Sequence, residues 1–262
     1  MAKLHLLYQT VTGTTPTVSS EDSSFPALNL ADWHSWSRWK AASAGTSHAV
    51  QWDAGTATAC DCAAIYNHSL VAGQTCVVQW STSGAGSWTT VATFTGVAPS
   101  TALWPPASQA LMASFVSVSA RYWRLLFSSG SAFTPSLGVA AIGPRLLTER
   151  SAHVGMKTPR QARVMEILNN VSDAGNFLGR SIIDRGVSGS IELDYLSASW
   201  VESTWMPFSA HASRYPFFLS WPPVVDGDVQ PCVFAWTPGA VDAPEHSHVN
   251  FQKASLAWQG RT

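Results

Sequence analysis

Alternation of apolar and polar positions dominates this chain and predicts β-strands almost throughout. Arg121-Tyr122-Trp123-Arg124-Leu125-Leu126-Phe127 sets outward arginines against inward aromatics, the mark of a half-buried strand. His48–Asp53 and Ala59–Tyr66 read the same way, the second followed by a turn at Asn67-His68. Thr75–Ser81 and Trp88–Phe94 flank Thr82-Ser83-Gly84-Ala85-Gly86-Ser87, a glycine-bearing hairpin connection. Short strands at this spacing predict a β-sandwich with jelly-roll-like or Greek-key connections, closing near Ile142. From Gly143-Pro144-Arg145 to Thr158-Pro159-Arg160 the chain mixes proline, glycine and charge, which puts a domain boundary near residue 150. The expected domains are therefore residues 1–149 and 150–262.

The second domain is predicted to be β-rich, with runs at Val164–Leu168, Ser190–Leu196, Tyr215–Trp221, Val229–Trp236 and Val249–Trp258. Ile191, Leu193 and Tyr195 alternate with Glu192 and Asp194, as on a strand with one buried face. One short helix is expected. Ser199 and Glu202 form a capping box, and Trp200, Thr204 and Phe208 share a face, with Pro207 placed to kink or end it. The fold class is mainly β, with one short helix in the second domain.

Composition adds a constraint on the surface. Lys and Arg number 15 and Asp and Glu 16, 12% of 262 residues, against about 25% in ordinary soluble domains. Thirteen Trp, eleven Phe and five Tyr accompany that scarcity of charge. Aromatics are enriched where protein surfaces meet, so a subunit of a larger assembly is favoured. A net charge of −1 gives no electrostatic footprint for sequence-specific nucleic-acid binding. No apolar run approaches the roughly 18 residues of a membrane span. Met1–Thr10 carries one cation and too short an apolar stretch for a secretory signal, so residence in a cytosol, or in a particle assembled there, is expected.

Candidate chemistry is sparse. There is no phosphate-binding loop with lysine, no nucleophile elbow and no His-Glu-x-x-His helix. Gly186-Val187-Ser188-Gly189-Ser190 lacks the final glycine of an elbow and precedes a strand. Asp226-Gly227-Asp228 could belong to a glycosidase pair but suits a hairpin turn better. His246 and His248, with Asp242 and Glu245 near, could ligate a metal or be solvated loop residues. Cys60, Cys62, Cys76 and Cys232 are too few for a disulfide framework. Cys60-Asp61-Cys62 with Cys76 could hold a soft metal but fits reduced, inward strand positions better. No catalytic residue, metal or cofactor is assigned, and no enzyme activity is expected.

Trp33, Trp36 and Trp39 recur every three residues in one loop. A sugar site would use such rings to stack on a pyranose, with Asn29, Asp32 and Arg38 supplying polar contacts. Otherwise Trp39 belongs to the core and the others pack on a neighbouring subunit. In the second half Trp200, Trp205, Tyr215, Phe217, Phe218 and Trp221 are candidate oligomer-interface residues. Alternation cannot put Tyr215, Phe217 and Trp221 on the same face as Phe218, so one set should leave its own core.

Two resemblances extend this reading. Ser23–Asp32 followed by Ser37-Arg38-Trp39-Lys40 is similar to the opening loop of the discoidin, or galactose-binding-like, sandwich. His48–Asp53, Gln79-Trp80-Ser81-Thr82-Ser83-Gly84 with Trp88, and Arg121-Tyr122-Trp123-Arg124-Leu125 follow in family order, covering roughly residues 20–142. The resemblance implies a galactose-binding-like jelly-roll, carbohydrate as a ligand class, and an early loop that often holds structural Ca²⁺; without several matched acidic ligands here, none is assigned. The second half, from Gly189–Leu193 through Trp205-Met206-Pro207-Phe208 and Tyr215–Trp221 to Leu256–Arg261, resembles a phage tail-tip subunit of the distal tail or baseplate hub kind. That implies a ring-shaped homo-oligomer in the virion, joining the tail tube, hub and tape measure proteins to the host-recognition apparatus. The order, sandwich first, reverses that of the usual distal tail protein. The alternative is a carbohydrate-binding module for adsorption to a host-surface glycan.

Overall fold

The computed structural model describes residues 3–96, 110–152, 156–158, 162–221, 229–248 and 250–262. In chain order its strands are β1 (His5–Leu7), β2 (Thr17–Val18), β3 (Trp39–Lys40), β4 (Gly45–His68), β5 (Gln74–Ser81), β6 (Thr89–Thr95), β7 (Ala110–Phe133), β8 (Ser136–Gly143) and β9 (Leu146–Leu147). They continue as β10 (Arg163–Val171), β11 (Phe177–Ser197), β12 (Phe217–Ser220), β13 (Val229–Pro231), β14 (Val233–Trp236), β15 (Glu245–His248) and β16 (Phe251–Arg261). The protein is mainly β, as the alternation predicts.

Two long strands build the first sandwich. The predicted strands at 48–53 and 59–66 are the two ends of β4, interrupted where Asp53–Thr58 breaks register with β7. Gly55, at φ +75°, makes that interruption with its amide donating to Asp53 Oδ1 at 2.8 Å. On one side of the break β4 pairs with β7 residues 122–133, which in turn pair with β5; on the other it pairs with 110–120 and with β8. Trp39, Trp52 and Trp123 fill the enclosed core with Ile65, Phe94 and Phe127, all fully buried. Trp39 is thus a core residue, its Nε1 donating to Ser20 O at 3.1 Å.

The second sheet runs β10-β11-β16-β14-β12-β1-β9, with β15 beside β16. Its two N-terminal members, β1 and β9, precede residue 149. Conversely, β13, far beyond residue 150, pairs with β7 of the first sandwich. Each sheet therefore contains strands from both sides of the expected boundary.

A helical run, α1 (Ala198–Trp200), a π turn (Val201–Trp205) and α2 (Met206–Ala212), covers one face of this sheet. It differs from the predicted helix in three ways. Ser197, not Ser199, caps it, its hydroxyl accepting from Trp200 N. The buried face is Val201, Trp205, Phe208 and Ala212. Pro207 neither ends nor breaks the run, because the wider π turn just before it, with Met206 N bonded to Val201 O, relieves the usual i−4 carbonyl clash. Tyr195 also departs from its expected inward position. A bulge between Leu193 and Leu196 puts it at φ +57° and 59% exposed, and Leu196 takes the buried site.

The two sheets share a third apolar layer. Leu7, Phe218, Cys232 and Phe234 of the second unit meet Cys62, Ala64, Tyr66, Met112, Val139 and Ala141 of the sandwich. Tyr66 and Phe234 stack with ring centroids 4.7 Å apart. Beyond these layers, residues 163–186 form a two-stranded arm: among the described residues β10 pairs only with β11, and β11 reaches β16 from Val187 onward.

Burial also sets a pH response. At the end of β4, His68 Nδ1 accepts from Leu70 N at 3.2 Å, while Nε2 is buried with no partner among the described residues. Desolvation pulls this imidazole down to about 4. The unfolded state then takes up a proton near pH 6.5 that the folded state resists, so this contribution is full above about pH 6.5 and is lost as pH falls toward 4. Urea midpoints should fall from pH 7 to pH 5, and His68→Asn should reduce that fall; an equal fall in the variant would assign the pH response elsewhere.

Candidate functional site

The opening loop uses most of its polar groups to hold its own shape. A 3-10 turn spans Ala27–Leu30, and Asn29 Nδ2 donates to Arg38 O at 2.8 Å. Asp32 accepts from His34 N at 2.9 Å and from Ser37 Oγ at 3.1 Å, while the Arg38 guanidinium lies 5.0 Å from the Phe25 ring centre. Trp33 adopts φ +59°, a conformation costly for a bulky side chain. That turn sends its ring between the two units, 5.8 Å from His211, 6.1 Å from Phe218 and 6.4 Å from Phe234. Trp36 goes the other way. It is 81% exposed, its ring stacked on that of His34 at 5.2 Å. Of Asn29, Asp32, Trp33, Trp36 and Arg38, the structure leaves Trp36 as the open aromatic surface; Trp33 packs against the protein's own second unit.

The second-half aromatic set is divided in the same manner. Trp205, Phe217 and Phe218 are fully buried within the chain and cannot form an oligomer interface. The reason is that β12 is covered on both faces: Phe217 and Leu219 enter the core under the helix, and Phe218 enters the shared layer. The side of this strand expected to need a neighbouring subunit is covered by the sandwich. Trp200 and Trp221 lie partly buried against the helix-side core, and Tyr215 is 51% exposed beside His211.

Potential metal and nucleophile positions are occupied by structural roles. All four cysteines are free and buried. Burial pushes the Cys60 thiol up to about 12 and raises Cys62 and Cys76 further, so none of these three is a ready thiolate. Cys60 and Cys76 face the sandwich core, Cys62 the shared layer. Asp61 is engaged by Arg145, accepting from its backbone N at 2.7 Å and pairing with Nε at 3.0 Å. Ser188 sits mid-strand opposite Gln259. His246 lies exposed on β15, a strand where a loop was expected; the His248 side chain and Asp226-Gly227-Asp228 lie outside the described residues. Among the described residues no three His, Cys, Asp or Glu groups come together for a metal.

The structure assembles a cluster that residue patterns alone do not reveal. Gln51, Arg124, Gln79 and Thr90 stand in register across β4, β7, β5 and β6, on the outer face of the sandwich. Arg124 Nε donates to Gln79 Oε1 at 2.7 Å, and Gln79 Nε2 donates to Thr90 Oγ1 at 3.0 Å. Trp88 lies against the guanidinium, with Cζ 4.2 Å from its ring centre. Beside them Tyr122 packs under Gly84, where a Cβ would come within 2.8 Å of the ring, and Gln51 Nε2 donates to Gly84 O at 3.4 Å. Neighbouring Arg121 is neutralised by Asp53 through two hydrogen bonds of 2.7 and 2.8 Å. Alternation correctly turns Arg124 outward, but only strand register brings Gln51, Gln79 and Trp88 to it.

No protein-family model matches this chain, and no curated protein matches it. Among solved structures, chitosan-binding module 1 of a chitosanase/glucanase from Paenibacillus sp. IK-5 is similar, at 21% identity and a TM-score of 0.43, over 51% of this chain and 98% of that one. A pectin-binding carbohydrate-binding module is similar at 21% identity and a TM-score of 0.38, over 52% and 91%. A family 32 module, from a family 31 glycoside hydrolase of Clostridium perfringens, is similar at 14% identity and a TM-score of 0.40, over 50% and 92%.

The loop geometry separates its two open-looking tryptophans. Trp36→Ala should leave the thermal midpoint within about 1–2 °C of the parent, whereas Trp33→Ala, which empties a contact between two units, should lower it by several degrees. Calorimetry of both variants tests this; equal shifts would contradict the placement of Trp33.

Proposed function

We propose that the protein is a non-catalytic, self-associating structural subunit whose sandwich serves as a glycan-contacting module. The arm carries the assembly part of this reading. Nine large apolar side chains of residues 164–183 are between 39% and 68% exposed, on both faces of a ribbon with no third strand among the described residues. An isolated two-stranded ribbon is marginal in water, and apolar groups on both of its faces call for cover. A second copy of the chain suits it. Glu166 pairs with Arg185 at 2.5 Å and Arg163 with Asp184 at 3.5 Å, so these arm charges answer one another and do not oppose a copy. The exposed side chains together offer on the order of 800 Å², the share of one partner in a standard interface.

The finer form of this proposal is a homo-oligomeric ring at a phage tail tip, between the tail tube, hub and tape measure proteins and the host-recognition apparatus. It draws on the resemblance of the second half and on the arm. Sedimentation at micromolar concentration should give a closed multimer for the parent and a folded monomer for Ile167→Asp/Ile182→Asp. A monomeric parent would overturn self-association.

A second reading, attachment to a host-surface glycan as the main role, is favoured by the exposed Trp36 ring, one face of which is stacked on His34. An exposed indole held by a stacked partner loses little freedom when a pyranose packs on it. Array binding of neutral glycans should disappear in Trp36→Ala while the fold persists, and the parent should leave the bound polysaccharide uncleaved. Sustained hydrolysis would overturn the non-catalytic assignment.

A further inference from the structure

We propose that the outer face of the sandwich around Arg124 is a second binding site, selective for carboxylate-bearing sugars such as uronates. This rests on the reading of the sandwich as glycan-contacting and specifies a ligand class for it. Arg124 is half-buried and, among the described residues, has no carboxylate within ion-pair distance. Its positive charge is therefore unanswered, while the adjacent Arg121 is already neutralised by Asp53. Partial burial makes the charge of Arg124 costlier to hold, and a bound anion would offset that cost while the guanidinium stays protonated.

The guanidinium is also held in place. Trp88 covers one side of it and Gln79 fixes Nε, which leaves the two terminal nitrogens to donate. A planar fork of that kind matches a carboxylate, and because it is already ordered, little side-chain entropy is lost on binding. The Gln51 amide beside it donates to Gly84 O, and its carbonyl oxygen can accept a sugar hydroxyl. Gly84 lets Tyr122 lie flat under the hairpin, so this edge of the platform is aromatic. A charged group seated beside rings and amides suits an acidic saccharide better than a bare inorganic anion.

Calorimetric titration of the full chain with trigalacturonate and a hyaluronan tetrasaccharide, and with their methyl esters, tests the site. Binding should occur with at least one acid, weaken by about tenfold or more on esterification, and weaken similarly in Arg124→Gln. Trp88→Ala, which leaves the Arg124 hydrogen bond to Gln79 in place, should also weaken it if Arg124→Gln proves unfolded. Acid binding that survives both Arg124→Gln and Trp88→Ala, or equal binding of the esters, would overturn the site. Loss only in Trp36→Ala would overturn it while retaining glycan contact by the opening loop. Inorganic phosphate competing as well as the uronates would reduce it to a general anion site, and silence toward every sugar would remove both this site and the glycan reading.

Discussion

The apolar layer between the two sheets is the constraint on which the rest of the molecule depends. Strands β12 and β14 are buried on both faces because the helix covers one side and the outer face of the sandwich covers the other. Fully burying a large apolar side chain is worth about 1.5–3 kcal/mol, so Phe218 and Phe234 alone make separation of the sheets costly. The same layer receives Trp33 at its edge and explains why that residue tolerates a left-handed backbone. The strand exchange between sheets is part of the arrangement: β1 crosses to the second sheet and β13 returns to the first, so neither unit is a separable length of chain.

This layer also distributes the remaining surfaces. It occupies the outer face of the half-sheet containing β8, leaving the opposite outer face, with Arg124, open. The arm leaves from the far edge of the second sheet, where β10 is the last strand. Trp36 lies near the junction of the units yet points away from it.

Much of this was legible in the residues. Two-residue alternation identified much of β4, β5 and β6 and the second half of β7, and placed Cys60, Cys62 and Cys76 inward, because each of those properties depends on one strand having one wet and one dry face. Alternation also gave Ile191 and Leu193 their buried places. It failed at Tyr195, where a bulge adds one residue to the count, and at Pro207, where a π turn accommodates a side chain that an α-turn would reject.

What only the tertiary structure decided is the cover and the register. The sequence determined that Phe217 and Phe218 point to opposite sides of β12, but the sandwich, contributed by residues some 80 to 150 positions earlier in the chain, decided that both sides are dry. It determined that Arg124 points outward, but pairing across four strands decided that Gln51, Gln79 and Thr90 stand in line with it. Trp33 and Trp36 share a residue type and a loop, and the backbone torsion at Trp33 together with the layer beneath it separated their fates. Local pattern records which side chains share a face; what meets that face comes from distant chain segments, and no local period encodes them.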